Sequence, residues 1–149
     1  MNAVYAGSFD MFTKGHLSVL DQAVEMFDKV YVVIAINPNK KRRFEVGYMI
    51  EKINEAVEAR GYADKVEVVS SDALVVRFAQ ENDCRYLIRG LRNSTDYAYE
   101  ENMALINTAL DKHIKTIYLR AKDAAISSSM VYELYLHGED VSSYLPYEL

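Results

Sequence analysis

Ten consecutive residues, Gly7-Ser8-Phe9-Asp10-Met11-Phe12-Thr13-Lys14-Gly15-His16, combine two glycines, two hydroxyls and a histidine just ahead of a helix-period run. Gly7 and Gly15 carry no Cβ to hold a ligand away from the backbone. A helix capped by Thr13 would offer free N–H groups and the positive end of its dipole, an arrangement suited to phosphate. His16 falls in the first turn of that helix and can reach the same anion. Taken alone, His16 reads as a packing residue.

Three further strings carry similar chemistry. Arg89-Gly90-Leu91-Arg92 sets two guanidiniums three residues apart about a glycine. Each can fork onto phosphate oxygens through two parallel hydrogen bonds. Ile126-Ser127-Ser128-Ser129 leads into a helix predicted over 130–137. One serine suffices as an N-cap, and none has Glu or Gln three residues on to complete a capping box. Three hydroxyls at a helix start suit a polyphosphate better than capping requires. Lys40-Lys41-Arg42-Arg43 places four cations in a row within a chain of net charge −5. Such a run is ordinarily a solvated loop. Its place on the same rim as the other strings predicts that at least one of its lysines meets a phosphate.

These strings need elements to position them, and the pattern supplies a regular set. Short β-rich runs at 3–6, 30–36, 66–69, 86–88 and 116–119 alternate with helix-period runs. Leu17, Leu20, Ala23, Val24 and Phe27 mark the first helix, and Ile50, Ile53 and Val57 the second. Further helices are predicted over 73–81, 97–110 and from Ser128 onward. The run at 30–36 is almost wholly apolar, as befits a strand covered on both faces. Strict β-α alternation predicts an α/β fold: a doubly wound, Rossmann-like five-stranded parallel sheet with helices on both faces. Ligands in such sheets sit beyond the carboxyl ends of the strands where the winding reverses, and each of the four strings follows a strand. Arg89 and Arg92 are therefore expected to face Ser8 and His16 across one crevice.

Bulk composition narrows the class. A chain of 149 residues, half apolar and a quarter charged, predicts one domain over 1–149. The acidic balance argues against a nucleic-acid partner, and no uncharged apolar run has membrane-spanning length. Cys84, the one cysteine, fits a small buried hydrophobe in a reducing compartment. With no charged leader ahead of the first strand, the expected setting is cytoplasmic. His16, His113 and His137 are too scattered for a zinc set, and no G-x-G-x-x-G follows a strand, so a dinucleotide-dependent oxidoreductase is disfavoured.

The first string resembles the T-x-G-H form of the HxGH nucleotidyltransferase signature, and nearly the whole chain resembles the phosphopantetheine adenylyltransferase family. The matching parts are Gly7-Ser8-Phe9-Asp10 with Gly15-His16, Asn39-Lys40-Lys41 with Phe44, Arg89-Gly90-Leu91-Arg92 with Asp96-Tyr97 and Tyr99-Glu100, and Ile126-Ser127-Ser128-Ser129. Departures are Met11 for the usual proline, Ser8 for threonine, Glu45-Val46-Gly47-Tyr48-Met49 for an acidic stretch with arginine, a loop at 120–125 about two residues short, and an early end at Leu149.

The resemblance implies transfer of the adenylyl group of ATP to 4′-phosphopantetheine, giving dephospho-coenzyme A and pyrophosphate. It implies catalytic roles for His16, Lys40 and Arg92. It assigns ATP to Ser8, Phe9, His16, Gly90, Leu91, Arg92, Glu100, Ser127, Ser128 and Ser129. It assigns the acceptor to Ser8, Lys40, Leu74, Val75 and Arg89. It also implies Mg2+ carried with ATP, no protein-held metal, a homohexamer and feedback inhibition by coenzyme A. The predicted helices are rich in tyrosine, among them Tyr97, Tyr99, Tyr132 and Tyr135. That is more aromatic surface than one small core readily hides, which is compatible with assembly. The competing readings are a same-fold enzyme acting on another phosphorylated acceptor and a non-catalytic nucleotide or coenzyme A sensor.

Overall fold

In a computed structural model the chain forms five parallel strands in the order β3-β2-β1-β4-β5. The strands are β1 (Asn2–Gly7), β2 (Lys29–Ala35), β3 (Val66–Ser71), β4 (Tyr86–Leu91) and β5 (Lys115–Arg120). Between and after them run α1 (Lys14–Met26), α2 (Val46–Ala59), α3 (Val75–Glu81), α4 (Ser94–Leu110) and α5 (Ser128–Leu136). The structure describes residues 1–122 and 125–149, without the side chains of 94–96. The expected Asp96 side chain and part of the 120–125 loop thus lie outside the described residues.

The sheet is buried on both faces, and the alternation of its side chains is the reason. Ala3 and Tyr5 of β1, Val30, Val32 and Ile34 of β2 and Ile88 of β4 point to one side. There they meet Leu17, Leu20 and Ala23 of α1, Met49 and Ile53 of α2, and Val131 of α5. Val4, Ala6, Val33 and Leu87 point to the other side, against Val76 and Ala79 of α3 and Cys84. Each fully buried Val, Leu or Ile contributes about 1.5–3 kcal/mol, so these two layers dominate the stability. Burial pushes the Cys84 thiol up to about 11, and its Sγ donates to the Asn82 carbonyl, which leaves it an inert core residue.

The winding runs outward from β1 through β2 to β3, then returns across the sheet to β4 and β5. The reversal therefore falls between β1 and β4, whose carboxyl ends carry Gly7 and Arg89-Gly90-Leu91. Strand β4 is longer than its apolar run suggests: Arg89, Gly90 and Leu91 pair with Tyr118, Leu119 and Arg120 of β5 rather than forming a loop. The polar Arg89 is tolerated inside the strand because another element pairs its charge.

Among the described residues no helix is long and apolar enough to cross a membrane. Helix α4 leaves Tyr99, Leu105 and Ile106 more than half exposed.

Candidate active site

Residues from five elements converge at the β1/β4 reversal. Ser8 and His16 face Arg89 and Arg92 there, with Ser127, Ser128 and Ser129 closing the far side of a cleft of about 310 Å³. The four strings are far apart in sequence, and the parallel β1–β4 pairing brings two of them side by side. Thr13, expected as the cap of α1, lines this cleft, and so does Tyr5, which did not stand out in the sequence. Tyr5 could have been found by period alone, since it shares a strand face with Gly7.

His16 is held by its own helix. The backbone N–H of Thr13 donates to His16 Nδ1 at 2.9 Å. Thr13 is the N-cap of α1, so His16 takes the part that Glu or Gln plays in a capping box. Because Nδ1 accepts, the proton of the neutral ring resides on Nε2. Burial, then the nearby Arg92 and Arg89 charges, lowers the His16 pKa to about 4. Phe9 and Phe12 pack against the imidazole, with centroids at 5.1 and 5.4 Å. The ring is thus a fixed, neutral N–H donor set among cations.

Gly7 has a structural duty that its sequence reading missed. A Cβ there would stand 3.1 Å from the Phe9 ring, so the space that glycine opens is filled by protein. Phe9 itself has φ 43°, a left-handed backbone, and is only 3% exposed. Its side chain is therefore mainly part of the core beneath the cleft wall. Gly90 plays the same part for helix packing, since a Cβ there would come 3.0 Å from Val19 Cγ2 of α1.

Arg89 is engaged in a bidentate pair. Its Nε and Nη2 donate to Glu100 Oε2 and Oε1 at 2.6 and 2.8 Å, while Nη1 donates to the Ala6 carbonyl at 2.8 Å. The pair stands between the polar cleft and a second, more apolar one of about 410 Å³. Leu74, Val75, Tyr99 and Met103 help line this second cleft between α3 and α4. Residues assigned from sequence to two ligands, Arg89 and Glu100, are therefore bonded to each other at their border.

The three serines are not equivalent. Ser127 caps α5 by accepting from the Met130 N–H at 3.1 Å. Ser128 donates its hydroxyl proton to the Met11 carbonyl at 2.7 Å, so that hydroxyl has no proton left for a phosphate oxygen. Ser129 accepts from Arg43 Nη2 at 3.0 Å and keeps its proton. Ser127 and Ser129, with the backbone N–H groups at the α5 start, are the donors that remain for an anion.

The basic run divides in two. Lys40 and Lys41 are exposed, and Lys40 lines neither cleft. Arg42 turns inward instead, and Arg43, though exposed, is tied to the site. Arg42 donates to the Ser8 carbonyl at 2.7 Å and lies 3.6 Å from Asp10, while Arg43 reaches Ser129. Asp10 fastens this loop by accepting the backbone N–H groups of Arg43 and Phe44 at 2.7 and 2.9 Å. The chain end adds another tie, as buried Tyr147 donates to the Phe12 carbonyl at 2.5 Å. Asp10→Asn should lower unfolding free energy by about 2 kcal/mol, because one amide oxygen cannot replace a carboxylate serving two N–H donors and a cation. Urea unfolding measures this, and a loss below about 0.5 kcal/mol would mean that the loop is held by other contacts.

Comparison with known proteins gives the family. Residues 4–134 match the cytidylyltransferase-like family model. Phosphopantetheine adenylyltransferase from Cytophaga hutchinsonii is 40% identical over 99% of this chain and 97% of its own length. The protein of the same name from Nautilia profundicola is 40% identical over 99% of this chain and 95% of its own. Among solved structures, a candidate nicotinate-nucleotide adenylyltransferase from Vibrio parahaemolyticus superimposes with TM-score 0.72 at 12% identity, covering 97% of this chain and 92% of that one. That likeness shows the fold. The sequence match over almost the full length shows more: this chain belongs to the phosphopantetheine adenylyltransferase family of nucleotidyltransferases.

Proposed function

We propose that this chain, acting as one nucleotidyltransferase domain over residues 1–149, transfers the adenylyl group of ATP to 4′-phosphopantetheine and releases pyrophosphate. The observation that carries the reading is a neutral, oriented His16 beside Arg92 in a polar cleft, with an apolar cleft adjoining it across the Arg89–Glu100 pair. ATP suits the first cleft, and a phosphate with a long, weakly polar tail suits the junction and the second.

An acceptor phosphate is already anionic near neutral pH and needs no general base. One of its oxygens bonds to the α-phosphorus of ATP in line, while the bond to the β-phosphate oxygen breaks and its electron pair leaves with pyrophosphate. Charge builds on the equatorial oxygens, so catalysis rests on positioning and cations. His16 Nε2–H would donate a hydrogen bond to those oxygens and keep its proton throughout. Arg92 would supply charge beside it. Ser8, Phe9, Gly90, Leu91 and Glu100 would bound the nucleotide, and Ser127, Ser128 and Ser129 would take its triphosphate, the second through its backbone. Lys40 and Arg89 would hold the acceptor phosphate, with Leu74 and Val75 against the pantetheine arm.

Among the described residues no group of three or more His, Cys, Asp or Glu is disposed to hold a metal ion. The cleft's own carboxylate, Glu100, already faces Arg89. Those donors fit Mg2+ that arrives on the ATP phosphates, where it prefers to keep water and few protein ligands and neutralises phosphate charge. A cytoplasmic homohexamer regulated by coenzyme A completes the reading. Light scattering at micromolar protein should give six times the chain mass; any smaller mass would remove the hexamer.

Acceptor choice is the test. With ATP, 4′-phosphopantetheine should give turnover well above nicotinamide mononucleotide or an alcohol phosphate offered with CTP. A higher rate with either of those would move the chain to another acceptor, and no turnover with any would make it a sensor.

A further inference from the structure

Arg43 is a cation beside the first cleft to which the family resemblance gives no task. Its guanidinium is fixed at three points: Nη1 donates to the Asp10 carbonyl at 3.2 Å, Nη2 donates to Ser129 Oγ at 3.0 Å, and Cζ lies 4.9 Å from the centre of the Tyr132 ring. All three partners are neutral. Arg42 and Arg89 differ in this respect, since Asp10 meets the charge of Arg42 and Glu100 that of Arg89. Among the described residues no carboxylate lies in ion-pair range of Arg43. Two of its five N–H donors are engaged in these bonds, and the side chain is exposed.

An exposed arginine with free rotation loses side-chain entropy when it binds an anion. Arg43 has already lost much of it to these neutral contacts, so its charge waits in place. Its hydrogen bond to Ser129 also has a direction. By occupying a lone pair of Oγ, Arg43 leaves the Ser129 proton to donate elsewhere, and Ser129 lines the cleft at the start of α5. A positive charge, a hydroxyl donor and a helix N-terminus are thus aligned at one side of the cleft mouth.

We propose that Arg43 is a further residue of the ATP site, donating directly and through Ser129 to the β- and γ-phosphate oxygens and then to the departing pyrophosphate. This rests on the adenylyl-transfer reading above. The electron pair of the broken bond ends on pyrophosphate, and Arg43 stabilises that charge with no proton transferred. The acceptor phosphate, read above as held by Lys40 and Arg89, is not assigned to Arg43.

The experiment compares ATP and AMP binding by calorimetry in wild type, Arg43→Ala, Arg43→Lys and Lys41→Ala, alongside steady-state kinetics. Arg43→Ala should weaken ATP by about tenfold, the loss typical of a charge-assisted hydrogen bond, and leave AMP and the acceptor KM unchanged. Arg43→Lys should recover part of the loss, and Lys41→Ala should match wild type. Equal losses for ATP and AMP would reduce Arg43 to a loop fastener and overturn the proposal. No loss of ATP affinity would overturn it too, as would an equal effect of Lys41→Ala, which would indicate a diffuse field. Failure of the underlying reading looks different: wild type would then release no pyrophosphate with 4′-phosphopantetheine, whatever Arg43 does.

Discussion

His16→Ala should lower kcat by roughly a hundredfold or more while the protein stays folded, because it removes a preorganised donor to developing charge. The fold survives since the ring caps only one N–H of α1 and is not fully buried. His16→Asn separates the two duties. Its side-chain oxygen can still accept from Thr13, but its donor cannot occupy the place of Nε2–H. Near-normal kcat in either variant would return His16 to a structural role.

The same histidine gives a pH signature. Its pKa is about 4 in the folded chain, first through burial and then through Arg92 and Arg89, against 6.5 for an ordinary histidine. Between those values the unfolded chain binds a proton that the folded chain refuses. Unfolding free energy therefore falls on this account as pH drops through 6.5, and levels off below about 4. The His16 imidazole resonance in the ligand-free protein should stay at its neutral position from pH 8 to 5.5. Movement centred near 6.5 would contradict the buried, cation-flanked setting.

Arg89→Ala should have the largest effect on stability, about 3–5 kcal/mol, because it leaves a buried carboxylate without its cation. Glu100 is 7% exposed and receives both bonds of the pair, and the Ala6 carbonyl loses its donor as well. Lys40→Ala should cost almost nothing in stability, as Lys40 is exposed. Both changes should nevertheless weaken the acceptor more than ATP, since both charges are assigned to the acceptor phosphate. Thermal unfolding and the two KM values check this together. A rise in the KM for ATP alone would reverse the division of the cleft, and an unchanged melting temperature in Arg89→Ala would deny the buried pair its weight.

Much of the architecture was legible because it depends on local pattern. The apolar run at β2 and the three-and-four spacing in α1 need no tertiary information, and together they imply the winding and its reversal. Misreadings arose where distant residues decide. The apolar run of β4 stops at Ile88, yet the strand continues because Glu100, eleven residues on, pairs Arg89. Four adjacent cations in an irregular loop have no period, so sequence could not say that Lys40 faces solvent while Arg42 and Arg43 turn to Ser8 and Ser129. The anchor for that choice, Asp10, is more than thirty residues away. The glycine of the first string was readable as a close approach but not as an approach by Phe9. One missed feature was within reach: Thr13 and His16 have capping-box spacing, with histidine in place of the usual acid or amide.

The central claim is that the cleft between β1 and β4 brings ATP and an acceptor phosphate together for in-line adenylyl transfer. Pyrophosphate release, followed with Mg2+-ATP before and after adding 4′-phosphopantetheine, addresses it most directly. Negligible release is expected with ATP alone, and then one pyrophosphate for each dephospho-coenzyme A formed once the acceptor is present. Release independent of the acceptor, or none in its presence, would contradict it.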